Sequence, residues 1–166
     1  MSGQGDFWRL TCFDELPSTS DYCLNACRSG DPVAGLAVLA RRQTKGRGSR
    51  GRTWLDGGQG LALSVVLDGT QAGPEALGGW PFVASLGFYD GLLRAQPAAQ
   101  PHLMIKWPND ILLDGCKMGG ILIEREGAYV LVGFGANLVS APDPRAPVPH
   151  THLLPHATVL DLDFPA

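Results

Sequence analysis

The chain has 166 residues, 45% of them hydrophobic and 17% charged, with a formal net charge of −3 at pH 7. That length suits one domain, and that balance excludes a disordered or fibrous chain. No apolar run nears the roughly 20 residues a membrane-spanning helix takes, so no membrane partner is expected. The opening residues MSGQGDFWRL lack a basic-then-apolar signal pattern, and Cys12, Cys23, Cys27 and Cys116 are not spaced as a disulfide framework. Both features point to a reducing, cytoplasmic setting with ordinary buried thiols.

Residues 8–13 read as a short strand. Ser18 is a good N-cap for a helix over 19–28, with Gly30 just beyond its end. Residues 34–42 (AGLAVLARR) look like a buried strand leading into a basic loop, and 61–67 (LALSVVL) like another strand. The stretch GTQAGPEALGG is turn material. Residues 81–95 have helical spacing at Phe82, Leu86, Tyr89 and Leu93, with Pro81 tolerated in the first turn. Four strands follow, at 102–107, 111–113, 117–124 and 128–134. Pro108-Asn109, Asp114-Gly115 and Glu126-Gly127 divide them, the last two being strong hairpin signals. Consecutive hairpins imply antiparallel pairing, so the fold class is α+β (mixed α/β), a largely antiparallel sheet flanked by helices. The expected domain runs over 1–139, with a proline-rich tail over 140–166 that reads as the start of a further segment.

The charge is unevenly placed. Six of the thirteen basic residues lie between Arg41 and Arg52, with no acidic one among them, leaving seven basic against sixteen acidic residues elsewhere. A local cationic loop on an acidic body suits a small anionic ligand. Within QTKGRGSRGRTW, Gly46, Gly48 and Gly51 alternate with Arg47, Arg50 and Arg52. Glycine allows close backbone approach, and successive N–H groups can cradle an anion beside bidentate guanidinium donors. Trp54 at the loop's exit can cover a flat ring. The loop is neither a Walker A nor a Rossmann fingerprint. A plain basic surface loop and an RGG-like nucleic-acid segment remain alternative readings of the composition. In IKWPND, Lys106 ends an apolar strand before a turn and can aim a charge into a cleft. Asn109 and Asp110 can brace backbone or help place a magnesium ion. In CKMGGILIE and GFGANL, Lys117 precedes Gly119-Gly120, and Asn137 follows Gly133 and Gly135. A bulge or close strand packing would explain those glycines equally well.

Taken in order, the GRG-rich basic loop, KWPND, KxGGIL and GxGxN closely resemble the biotin protein ligases, from about Leu16 to Asn137. The Ser18-Thr19 pair matches the same family. The resemblance implies a class II synthetase-like catalytic domain that activates biotin with ATP and magnesium. The product is biotinyl-5′-AMP, which goes to a lysine on the biotin-accepting carrier domain of a carboxylase. By position it implies biotin contacts from Ser18, Thr19, Gln43, Gly46, Arg47, Lys106, Gly119 and Gly120. It implies ATP contacts from Arg50, Arg52, Trp54, Asn109, Lys117 and Asn137, and catalytic charge from Arg47, Lys106 and Lys117. No dedicated metal cage is implied, only magnesium carried with ATP near Asp110. A homodimer fits the family; nucleic acid is not expected as a partner. Lipoyl or octanoyl ligases and transferases share the fold, and a non-catalytic ligand-binding module is the other alternative. Ser49 departs from the arginine that many members carry and implies weaker retention of the adenylate. The family usually has a further helical and small β segment after the GxGxN strand, which leaves acceptor transfer the least supported step.

Overall fold

The computed structural model of the protein describes residues 7–30, 33–55, 60–70 and 78–138. The proline-rich tail expected over 140–166 and most of the turn at 71–77 lie outside them. The strands are β1 Arg9–Leu16, β2 Leu36–Gln43, β3 Gly60–Asp68, β4 Leu103–Lys106, β5 Asp110–Leu113, β6 Cys116–Glu126 and β7 Tyr129–Asn137. The helices are α1 Thr19–Arg28 and α2 Trp80–Ala95. The strands form one sheet in the order β1-β2-β3-β7-β6-β5-β4. All neighbours are antiparallel except β1 and β2, which are parallel because α1 carries the chain back between them.

Alternation along the strands splits the core between the two faces of the sheet. Val130, Val132 and Ala136 of β7 pack with Leu61, Val65 and Leu67 of β3 and with Phe88 and Leu92 of α2. The intervening Leu131 and Val66 face α1, where they meet Cys23 and Val38. Helix α1 starts where its sequence says it should: the Ser18 hydroxyl accepts from Asp21 N at 3.2 Å, satisfying one of the first-turn donors. The β5–β6 connection is the expected tight hairpin, with positive φ at both Asp114 (49°) and Gly115 (79°).

The helix expected over 81–95 stands as α2. Of the four residues that gave its spacing, Tyr89 and Leu93 pack against the core while Phe82 and Leu86 are exposed, and Ala84, Ser85, Phe88 and Leu92 face the sheet. The helix is apolar nearly all round, so spacing alone cannot choose its inner side. Phe82 instead meets Trp107 at the surface, ring centres 6.0 Å apart. Among the described residues, no helix is long and apolar enough to cross a membrane.

Candidate active site

Strand register assembles the site. One row of paired residues crosses six strands: Lys106 of β4, Asp110 of β5, Gly120 of β6, Gly135 of β7, Ala62 of β3 and Ala40 of β2. All six lie on the α1 face of the sheet. The row has charged residues at one end and nothing larger than a methyl group along the rest, which makes a floor on which a flat molecule can rest. At present the Trp54 ring rests there. A Cβ built on Gly135 would lie 2.8 Å from Trp54 Cε2, and one on Gly120 would lie 3.3 Å from Trp54 Cζ3. Gly119 has a different task. Its missing side chain points to the other face, 3.2 Å from Phe88 Cε1 and 3.4 Å from Ile111 Cβ, so strand alternation separates the two neighbouring glycines.

The loop above this floor is a small hairpin. Arg47 and Thr53 form a bridge, Gly48 N donates to Arg52 O at 2.7 Å, and Trp54 N donates to Gly46 O at 2.9 Å. A single 3-10 turn, Ser49–Gly51, makes its tip. Arg52 folds back on that tip, its Nη2 donating to Ser49 Oγ at 2.9 Å. Between the end of β2 and the hairpin opens a hollow of about 260 Å³, lined in part by Gln43, Gly46, Thr53 and Trp54. That is below the roughly 300–1,000 Å³ usual for small-molecule sites, as expected while the Trp54 ring covers the floor.

The expected side chains fall into three groups. Lys106 and Arg50 are exposed and pair with no acidic side chain among the described residues. Lys117 is half-buried beside Gly120, its Nζ 2.6 Å from Asp110 Oδ1. The third group is committed to the scaffold. Ser18 caps α1. The Gln43 Oε1 accepts from Thr19 N at 2.8 Å and Thr19 Oγ1 at 3.1 Å. Since that donation uses the only hydroxyl proton of Thr19, Ser64 Oγ must donate to Thr19 Oγ1 (2.8 Å) and Ser20 Oγ to Ser64 Oγ (3.1 Å). The buried chain Ser20–Ser64–Thr19–Gln43 thus ties α1 to β3 and fixes the Gln43 amide. Asn109 exchanges bonds with Ile121, Nδ2 to O at 3.0 Å and N to Asn109 O at 2.9 Å, so it braces the Trp-Pro turn against β6. Asn137 is buried at the end of β7, opposite Gly60.

Arg47 is placed where its sequence neighbours give no hint. Its Nη1 and Nη2 donate to the two carboxylate oxygens of Glu124 at 2.8 and 2.6 Å. Its Nε lies 2.8 Å from Asp21 Oδ1, an ion-pair contact whose N–H is not aligned on that oxygen. The hydrogen bonds that Arg47 donates to Glu124, with Asp21 adding to them, hold the guanidinium proton even more firmly than usual, against a smaller opposing effect of burial. Sequence reading missed Asp21 and Glu124. The available signal was their position: Asp21 three residues after the cap, and Glu124 on the same alternate set of β6 as Gly120.

The model of the biotin/lipoate A/B protein ligase family matches residues 12–137. The chain belongs to the biotin/lipoate A/B protein ligase family. It is 48% identical over 141 residues to the biotin--[acetyl-CoA-carboxylase] ligase of Paracoccus denitrificans, covering 81% of this chain and 58% of that protein. Its fold is similar to the biotin protein ligase of Leishmania major in complex with biotinyl-5-AMP, with a TM-score of 0.73 and 29% identity over 86% of this chain and 62% of that one. The Aquifex aeolicus biotin protein ligase in complex with biotin and ATP gives a TM-score of 0.67 and 29% identity, over 86% and 59%. The chain therefore spans about three-fifths of the length of these relatives. The family match covers the whole of the site just described, from β1 to the end of β7.

Proposed function

We propose that this chain forms the adenylating site of a biotin protein ligase, joining biotin to ATP and passing the biotinyl group to a lysine of a carboxylase carrier domain. The observation that carries the reading is the row Lys106–Asp110–Gly120–Gly135–Ala62–Ala40, a bare floor with Lys106 and Asp110 at one end and Lys117 beside them. Relatives named for this activity, and solved relatives described with biotin, ATP or biotinyl-5-AMP, support it.

The chemistry asks little of a nucleophilic side chain. A biotin carboxylate oxygen attacks the α-phosphorus, a new P–O bond forms, and the bond to the β-phosphoryl oxygen breaks to release pyrophosphate. The barrier lies largely in bringing two anions together, so the protein's task is alignment and charge. Lys106 and Lys117 stand on either side of Asp110 at one end of the floor and supply that charge. The backbone at Gly46 and Arg47 lies over the carboxylate, while Arg50, Arg52 and Trp54 meet the nucleotide. Gln43, held by Thr19, lines the hollow in which the biotin head group would lie.

Magnesium enters with the nucleotide. Among the described residues no three His, Cys, Asp or Glu side chains gather to hold a metal, and Asp110 is engaged by Lys117. A magnesium ion carried by ATP would lessen the charge of the leaving pyrophosphate, and Asp110, at the charged end of the floor, is the carboxylate of the row that could help hold it.

ATP–pyrophosphate exchange dependent on biotin, with lipoate and octanoate in parallel, tests the reading without an acceptor protein. Exchange with biotin alone is expected. Exchange with lipoate or octanoate instead would move the chain to the sister branch of the family. No exchange with any acid, from folded protein, would refute catalysis by this chain.

A further inference from the structure

Arg47 ties the first turn of α1 to the second half of β6, two elements that the Arg28–Glu126 ion pair also joins at the far end of the helix. Two carboxylates face this one guanidinium, so the cluster carries a net negative charge. An incoming anion is repelled by both acids, which bind the arginine better than it could. Arg47 is thus a poor candidate to change partners when ligand arrives and a good one to stay in place. What stays with it is the hairpin, since Arg47 bridges Thr53 and lies between Gly46, which receives the Trp54 N–H, and Gly48, which bonds to Arg52. At its root the loop is fixed by Thr44 N and Lys45 N, which donate to Leu16 O at 3.0 Å and Pro17 O at 2.8 Å. Beyond that root, the ion-pair cluster and the Trp54 ring bind the hairpin to the body of the protein among the described residues.

We infer that Asp21 and Glu124 are positioning residues for the adenylation loop: they hold Arg47, and through it set where the hairpin backbone and Trp54 stand above the Gly120–Gly135 floor. Neither acid touches the reacting groups. For the enzymatic consequence this rests on the adenylation reading; for the loop itself it does not.

Glu124→Gln and Asp21→Asn, singly and together, are compared by tryptic cleavage of the free protein after Arg50 and Arg52, followed by mass spectrometry. Cleavage at a loop in rapid opening equilibrium follows the open population, and losing charged hydrogen bonds of this kind shifts such a population by roughly 10–100-fold. Cleavage in Glu124→Gln should therefore quicken about tenfold or more, with far-UV circular dichroism unchanged, and the KM for ATP and biotin should rise more than kcat falls. In an Asp21→Asn background, Arg47→Glu should open the loop, and Arg47→Glu with Glu124→Arg should close it again. A merely structural cluster would not recover on reversal. Loop cleavage at the native rate in folded Glu124→Gln, or no recovery in the reversed pair, overturns the inference. If the double variant fails to fold, the single variants decide the matter. The proteolysis needs no substrate, so absence of exchange activity refutes the functional reading alone. Normal exchange with an unprotected native loop refutes the positioning role alone.

Discussion

A methyl group placed on Gly135 would begin in collision with Trp54. The new Cβ would lie 2.8 Å from Cε2, 3.0 Å from Cζ2 and 3.2 Å from Nε1 of the indole. Carbon atoms rest at about 3.5–4.0 Å, so the ring must retreat by roughly 0.5–1 Å, and in doing so it leaves its contact above Gly120. Overpacking of this kind costs about 1–3 kcal/mol. In a chain of this size that is a fall in Tm of about 2–4 °C for each kcal/mol. The opposing gain from replacing glycine by alanine in a strand is about 0.5–1 kcal/mol. It becomes visible once the ring is gone.

The measurement is a double-mutant cycle by denaturant unfolding: wild type, Gly135→Ala, Trp54→Ala and the pair. Gly135→Ala should destabilise the wild type but be neutral or mildly stabilising beside Trp54→Ala, a coupling of about 1–3 kcal/mol. Exchange activity should fall in Gly135→Ala even where the protein is fully folded, since the methyl narrows the floor itself. Additivity within about 0.5 kcal/mol would mean that Trp54 does not rest on the floor, and would falsify the placement of the hairpin.

Three other outcomes are expected. Lys106→Ala should leave stability within about 0.5 kcal/mol, because the side chain is exposed, while exchange drops roughly 10²-fold; the reverse pattern would place Lys106 in the scaffold. Ser49→Arg removes the hydroxyl that receives Arg52 and adds a cation at the tip, so release of the adenylate, followed by rapid filtration, should slow. The Cys23 thiol, fully buried, is pushed up to about 12 by burial, with Cys27 adding a smaller effect. The folded state then keeps a proton that the unfolded chain releases near pH 9. The stabilisation is complete below pH 9 and drains away between about pH 9 and pH 12, at up to about 1.4 kcal/mol per unit. Urea titrations across that range should show the slope in the native chain and a shallower one in Cys23→Ala.

Local signals carried far in this sequence. The Ser18 cap, the Asp114-Gly115 turn and the branched run of β3 each act over a few residues, and each element stands close to its expected place. Lys106 and Asp110 of KWPND, Gly120 and Gly135 also fall on one face, because strand register aligns them. Long-range relations were not legible. The parallel β1–β2 pairing and the insertion of β7 between β3 and β6 depend on contacts distant in the chain. Which side of α2 is buried depends on what the sheet offers, and a helix apolar all round does not say. The glycines of KMGGIL read as one unit, yet the pleat sends Gly119 into the core against Phe88 and Gly120 into the site. In the sequence Arg47 has no acidic neighbour to mark it as anything but a ligand-binding cation, because its partners lie 26 and 77 residues away.

Those partners change the electrostatics of the basic segment. Of its six cations, Arg41 and Arg42 lie 3.7 and 3.1 Å from Asp14 and Glu15 across the β1–β2 pair, and Arg47 lies between Asp21 and Glu124. The first two pairs are open to solvent, worth little and weakened by salt. The third is half-buried and bidentate, and survives salt better for that reason. Lys45, Arg50 and Arg52 have no acidic side chain against them among the described residues, and neither has Lys106 across the floor. The cations thus divide by task. Removing an uncommitted one should weaken an anionic ligand and flatten the salt dependence of its binding, with the fold untouched. Removing Arg47 should act chiefly on the loop, leaving that dependence nearly as steep. A titration of nucleotide affinity against salt in Arg50→Ala and Arg47→Ala separates charge that meets the ligand from charge that builds its site.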